Sequence, residues 1–247
     1  MVENQEKNIE NKVAIVTGGS KGIGASIVKK LAQNGYIVVL NYNKSEKEAK
    51  EIENKYDNVY AYKADISNYD EVKALVDFTI NKFKKIDLLI NNAGIDLIKT
   101  INDTSIEEFD KILKTNLYSA FFTSKEVSKY MINNKFGKII NISSIWGIIG
   151  ASCEMTYSVS KAGLDAMTKS LAKEFGPSNI QVNSIAPGII DTDMNKFLTE
   201  EEKKEIIKEI PLEHIGKAED IADCVLFLAN AEYITGQIIQ VNGGWNI

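Results

Sequence analysis

The chain has 247 residues, 44% of them hydrophobic, with a formal net charge of −5 and a sequence pI near 5.2. That is enough apolar side chain for a full core in one domain spanning 1–247, and the acidic balance argues against nucleic acid as a partner, because phosphate binding needs a basic face. Every one of the 29 cationic side chains is a lysine, so any phosphate has to be held by Lys, hydroxyls or backbone N–H groups and never by a guanidinium fork.

Residues 1–11 are polar and charged, as expected of a flexible N-terminus rather than a signal peptide. After them, short apolar runs alternate with longer amphipathic segments. Val13–Thr17, Ile37–Tyr42, Val59–Lys63, Asp87–Asn91, Lys138–Ser143, Ile180–Ile185 and Ile238–Val241 have the character of strands. Several are apolar on successive residues, the mark of a strand covered on both faces. Helical periodicity occupies Gly22–Asn34, Glu46–Tyr56, Asp70–Lys84, Ile106–Asn133, Thr156–Phe175, Glu200–Glu209 and Ala218–Leu228. Ser67 before Asp70 and Glu71, and Thr199 before a run of Glu, are expected helix starts. Strand–helix alternation along the whole chain, with only three prolines and no linker, predicts an α/β fold: a Rossmann-like, doubly wound, parallel seven-stranded sheet with helices on both faces. No apolar run approaches the ~20 residues of a membrane span. Cys153 and Cys224 form no CxxC pair, and the one histidine, His214, has no partners at metal spacing, so we expect no metal, no membrane and a reduced cytoplasmic setting.

The first strand runs into Gly18-Gly19-Ser20-Lys21-Gly22-Ile23-Gly24 and then a helix. Glycines at this turn allow close approach to a pyrophosphate, and the helix N-terminus aims N–H groups at the anion. The spacing is GxxxGxG, and it lacks the GK[ST] ending of a nucleoside-triphosphate loop. At the end of the second strand, Tyr42-Asn43-Lys44-Ser45 offers no carboxylate to hold a ribose 2′-hydroxyl before Glu46. Lys21 and Lys44 flank that place, which favours NADP(H) over NAD(H), although Lys44 also suits a solvated loop.

Tyr157 and Lys161 lie four residues apart on one helix face. An ammonium beside a phenol favours the phenolate and lowers the tyrosine pKa, which suits proton transfer. Tyr69 and Lys73 repeat the spacing on a surface helix, so position has to separate them. Ser144 closes the fifth strand, at the carboxyl ends where parallel sheets bind ligands. Asn91-Asn92-Ala93-Gly94 closes the strand before it, and Asn116 is a polar residue within an apolar helical stretch, equally at home as a buried, satisfied amide.

Thr17-Gly18…Gly22-Ile23-Gly24, Asp65-Ile66, Asn91–Gly94, Asn116, Ser144, Tyr157…Lys161 and Pro187-Gly188-Ile189-Ile190-Asp191-Thr192, in that order, resemble the single-domain short-chain dehydrogenase/reductases over essentially the whole chain. The resemblance implies an oxidoreductase in which Tyr157 protonates a carbonyl as hydride arrives from the nicotinamide and Ser144 holds the same oxygen. Lys161 would tune Tyr157 and bond the nicotinamide ribose, and Asn116 would hold a relay water. Asp65 and Ile66 would meet the adenine. Asn92, Ala93, Gly94, Pro187 and Gly188 would line the cofactor, Ile190 and Thr192 would seat its carboxamide, and about 191–216 would form the substrate lid. It also implies a homotetramer, built in part through the helices bearing Phe109, Phe121, Phe122 and Tyr130, and Leu164, Met167, Leu171 and Phe175.

The chain is most similar to bacterial 3-oxoacyl-(acyl-carrier-protein) reductases. Of the basic residues with which those enzymes dock an acidic carrier protein, Lys135 and Lys138 retain one cluster, while Gly176–Asn179 carries no cation. The loop Ser144–Glu154, with Trp146, and the ending Gly236–Trp245 resemble instead the reductases of 5-aminopentanone-modified lysine on elongation factor P. In that reading Glu154 pairs with a substrate ammonium; as a helix N-terminal carboxylate it needs no substrate.

Overall fold

A computed structural model describes residues 12–247; the segment 1–11, expected to be flexible, lies outside the described residues. The seven strands are β1 (Val13–Val16), β2 (Ile37–Tyr42), β3 (Val59–Lys63), β4 (Leu88–Asn91), β5 (Gly137–Ile142), β6 (Ile180–Pro187) and β7 (Ile238–Val241). They form one parallel sheet in the order β3-β2-β1-β4-β5-β6-β7. The chain winds outward from β1 to β3, then returns to lay β4 against the other edge of β1. That reversal opens a crevice above the carboxyl ends of β1 and β4, the place where open α/β sheets bind ligands.

The runs of successive apolar residues are explained by two cores. On one face Ala14, Val16, Leu88, Ile90 and Ile140 meet Ile27 and Leu31 of α1 (Gly22–Gln33), Ile52 of α2 (Glu46–Lys55) and Val225 of α9 (Ala218–Asn230). On the other, Ile15, Leu89 and Ile139 meet Leu75 of α3 (Tyr69–Phe83), Met131 of α5 (Ser119–Asn134) and Phe175 of α7 (Met155–Phe175). Neighbouring residues of one strand serve opposite layers, so alternation disappears from the sequence.

Several expectations shift. The helix expected over 106–133 is three pieces: α4 (Ile106–Leu113), a π-turn over Lys114–Tyr118, and α5. The cap of α3 is Asn68, whose side chain accepts from the Asp70 and Glu71 N–H groups; Ser67 instead donates its hydroxyl to Asp65 at 2.7 Å. Thr199 does cap α8 (Glu200–Glu209) in a reciprocal capping box with Glu202. The loop after β5 contains a short helix, α6 (Trp146–Ile149). Lys138 is not a surface cation: it is buried, and its ammonium donates to the Ala231 carbonyl at the end of α9. Leu164 and Phe175 belong to the interior, while Phe121 is exposed. Tyr69 donates its hydroxyl to Glu126 and packs on Phe122, which ties α3 to α5. No helix among the described residues is long and apolar enough to cross a membrane.

The two-sided core gives a direct expectation. Leu89, fully buried at the centre of the sheet, when replaced by Ala should lower the unfolding free energy by ~2–5 kcal/mol, read from the urea midpoint.

Candidate active site

A cleft of about 810 Å³ lies over the strand carboxyl ends. One end is built by β1, β2 and β4. The Thr17 hydroxyl donates to Ile90 O and accepts from the Asn92 and Ala93 N–H groups, at 3.0 and 3.2 Å. Asn92 donates its amide to the Thr17 and Gly18 carbonyls. Asn41 accepts from Gly18 N–H and donates to Ala64 O at 3.0 Å. The loop before α1 is thus tied on both sides. Gly18 has a φ of +61°, and a Cβ on Gly24 would run into the Gly18 carbonyl oxygen. α1 has no side-chain cap and no acidic residue in its first turn, whereas α3, α4 and α8 are side-chain capped and carry acids there. A bare helix N-terminus behind a closely approaching backbone suits a pyrophosphate.

Tyr42, Asn43, Lys44, Asp65 and Ile66 line the cleft beyond Ser20 and Lys21. Lys21 is ion-paired with Glu48 at 2.8 Å in solvent, a weakly held contact. The Asp65 carboxyl is held below its ordinary range, chiefly by the Ser67 hydroxyl, with Asn43 and Lys44 contributing.

The other end is built by the loop after β4, the loop after β5, and α7. Ser144 follows β5 and accepts from Trp146 N–H at 3.2 Å. Its hydroxyl favours the Tyr157 phenolate, against the larger effect of burial. Lys161, one turn further along α7, is only 3% exposed and donates to Ile142 O at 2.8 Å. Its ammonium lies 5.5 Å from the centre of the Tyr157 ring. Burial drives the Lys161 ammonium down to about 8. Tyr157 departs from expectation: burial, and next the Asp96 carboxylate, push its phenol well above the ordinary tyrosine range. The ammonium that should counter this is turned toward Ile142.

Asn116 sits in the π-turn, 1% exposed, and its amide accepts from Ile95 N–H and donates to Ile95 O and Ser160 Oγ. The buried, satisfied amide is therefore what the side chain is, and it fastens the loop after Gly94 to α7.

A pair of carboxyl groups faces Tyr157. Asp96 and Glu154 hydrogen-bond each other, and burial with the nearby Asp96 charge raises Glu154 to about 7. Glu154 sits at the start of α7 without donating or accepting as a side-chain cap. Trp146 packs edge-on against Trp245 at 5.2 Å on the cleft wall, rather than in the core.

The curated relatives agree with this geometry. The chain is 40% identical over 239 residues to the 3-oxoacyl-(acyl-carrier-protein) reductase FabG of Staphylococcus aureus, covering 94% of this chain and 97% of that protein. It is 39% identical over 245 residues to the FabG of Aquifex aeolicus, covering 97% and 99%. A family model described as enoyl-(acyl carrier protein) reductase matches residues 18–246. The chain belongs to the short-chain dehydrogenase/reductase family. It is an oxidoreductase. The solved structure "ElxO with NADP Bound" superposes with a TM-score of 0.89 at 32% identity, covering 95% of this chain and 98% of that one.

Within this family member, the expected cofactor and substrate residues, including Pro187, Gly188, Ile190 and Thr192, all border the one cleft; Asn116 stands behind it. Asp96 and Asn41 were missed, because neither has neighbours in sequence that mark it. Ile190 bridges to Gly216, and Asp191 N–H donates to Gly216 O, so the 191–216 excursion leaves and returns at one place. His214 is exposed on it, and among the described residues no cluster of metal-ligating side chains occurs. Gly24→Ala should lower dinucleotide affinity by ~100-fold, about 2.7 kcal/mol, measured by nucleotide fluorescence titration, with the far-ultraviolet circular dichroism unchanged.

Proposed function

We propose that this protein is an NADPH-dependent ketone reductase converting 3-oxoacyl thioesters, carried on an acyl carrier protein, to 3-hydroxyacyl thioesters. The observation that carries the proposal is the convergence of the Ser144 and Tyr157 hydroxyls at one end of a cleft whose other end is a glycine-lined anion cradle. The names of the curated relatives and the NADP of the solved neighbour support it. The wall beside the hydroxyls is apolar, with Ile95, Ile189, Phe197, Leu198 and Trp245, as an acyl chain requires. The missing carboxylate at the end of β2 leaves room for a 2′-phosphate near Asn43 and Lys44, with Lys21 free to exchange Glu48 for it.

A bound NADPH would supply the hydride. Tyr157, held protonated by burial, gives its proton to the substrate oxygen, while Ser144 donates to the same atom and favours the developing alkoxide. The Lys161 ammonium then stabilises the tyrosinate left behind. Asn116, which fastens the loop after Gly94 to α7, would also hold the relay water. The 191–216 excursion, with Met194, Phe197 and Leu198 on its cleft side, acts as the lid. Exposed Tyr118, Phe121 and Val159 on one side, and Phe227 and Tyr233 on another, support a homotetramer. The carrier contact rests on Lys135 alone, since Lys138 is buried. Tyr157→Phe should lower kcat for acetoacetyl-carrier protein by ~10²–10⁴-fold with NADPH affinity retained; unchanged turnover would sink the proposal.

One observation favours a second substrate class. The Asp96–Glu154 pair suits a ketone bearing an ammonium, such as the 5-aminopentanone group on a modified lysine of elongation factor P. Glu154 is ionised only above about 7, so KM for an aminoketone should rise as pH falls through that value, and Glu154→Gln should flatten the dependence. KM for an uncharged oxoacyl thioester should follow neither change. Steady-state kinetics on both substrates decide between the readings.

A further inference from the structure

Asp165 lies on α7 one turn beyond Lys161, on the side facing the sheet, and is 5% exposed. Its Oδ1 accepts from the Ser184 hydroxyl of β6 at 2.8 Å, and the Ser143 hydroxyl, just past β5, also favours its ionised form. Its Oδ2 is buried without a hydrogen-bond partner. Burial raises the Asp165 carboxyl above its ordinary range, opposed by the Ser184 hydroxyl and the Lys161 ammonium; a carboxylate buried with one oxygen unmatched is costly unless its charge is used. Lys169 lies further along α7, and the other cation facing it is Lys161. The reaction described above does not employ Asp165, and a residue there for packing alone would not need to be acidic.

We propose that Asp165 is a positioning residue for the reduction: from the sheet side, its buried carboxylate holds the Lys161 side chain in the ammonium form at the catalytic face. The groups that face Lys161 are Tyr157 and Asp165 from its own helix and Asp96 from the loop after β4. Burial works against the ammonium; Asp165 is the foremost influence opposing it, with Asp96 second. Asp96 is also engaged by Glu154, so it is an incomplete substitute. Ser143 links the parts further, donating to the Lys161 carbonyl at 3.4 Å. The inference rests on the reductase reading only for the use made of Lys161's charge; the charge itself can be measured without a substrate.

The test is an NMR titration of the full chain carrying isotope-labelled lysine. The Lys161 side-chain signal is assigned by its loss in Lys161→Met. In the unaltered protein its midpoint should lie near 8, apart from the other lysines. Asp165→Asn should lower it by about one pH unit. Ser184→Ala removes a donor that favours the ionised carboxyl, so it should move the midpoint in the same direction by less. The alkaline limb of ketone reduction should move with it. A midpoint unchanged in Asp165→Asn overturns the proposal, even if the variant unfolds more easily. Should that variant not fold, an unchanged midpoint in Ser184→Ala does so. A shifted midpoint in a protein that reduces no ketone upholds Asp165 and removes the reductase reading instead.

Discussion

The Lys161 ammonium donates to the Ile142 carbonyl from a site only 3% exposed, and the Ser144–Tyr157 end of the cleft is arranged around that buried cation. Its position requires β5 to end where it does, α7 to start close above it, and the loop after β4 to press in from the side. A Cβ on Gly94 would meet the Lys161 ammonium at 3.4 Å, and one on Gly147 would meet the Lys161 main chain at 2.8 Å. The glycines here leave room for the lysine as Gly18 and Gly24 leave room at the turn before α1. A buried ammonium is costly to desolvate, and the site offsets this with a carbonyl, a carboxylate on each side and the Asn116 clamp that holds the loop in place.

Much of the scaffold was legible because the sheet is covered twice. Ile37-Val38-Val39-Leu40 can only be a strand with helices on both faces, and all seven expected strands occur with ends shifted by no more than two residues. β6 runs longer than its apolar pattern because Pro187 still pairs with Val241, a contact set by a strand far away in sequence. The π-turn was invisible for a related reason. Lys114–Tyr118 has ordinary helical composition, and the extra residue in the turn reflects Asn116 reaching across to Ile95.

The site divides along the same line. Residues whose chemistry shows in local order, such as the glycine turn, Ser144 at a strand end, and Tyr157 with Lys161 in one helix, line one cleft. Asn41 and Asp96 were missed, since each acts through a partner on another strand or loop. Lys138 failed in the opposite sense: a lysine at the start of a strand suggests a surface charge, yet the end of α9 covers it and supplies a carbonyl. Tyr69 and Lys73 show why spacing is insufficient. Their face of α3 is taken up by Glu126 and Phe122 of α5, away from any cavity.

The spacing with Lys161 led to a depressed tyrosine, and burial instead raises it; in the proposed reduction the phenol is the form that donates. In that reaction Tyr157 has to carry its proton before hydride transfer, and burial beside Asp96 favours that form. Only when an alkoxide forms does the phenolate need support, and Lys161 stands 5.5 Å from the ring, ready to give it. Tyr157 therefore sits between the Asp96–Glu154 pair, which favours its protonated form, and the Lys161 ammonium, which is turned to the Ile142 carbonyl. In the proposed reduction the carboxyl pair would keep the proton on Tyr157, and the ammonium would support the phenolate left by its loss. Because the acidic side of this balance faces the substrate, a substrate's own charge enters it directly. A cationic group beside Glu154 would neutralise the pair and ease proton release, while an uncharged acyl chain would leave the pair to share its proton. The scaffold is common to both chemistries, and the choice between them lies in two carboxyl groups at the mouth of α7.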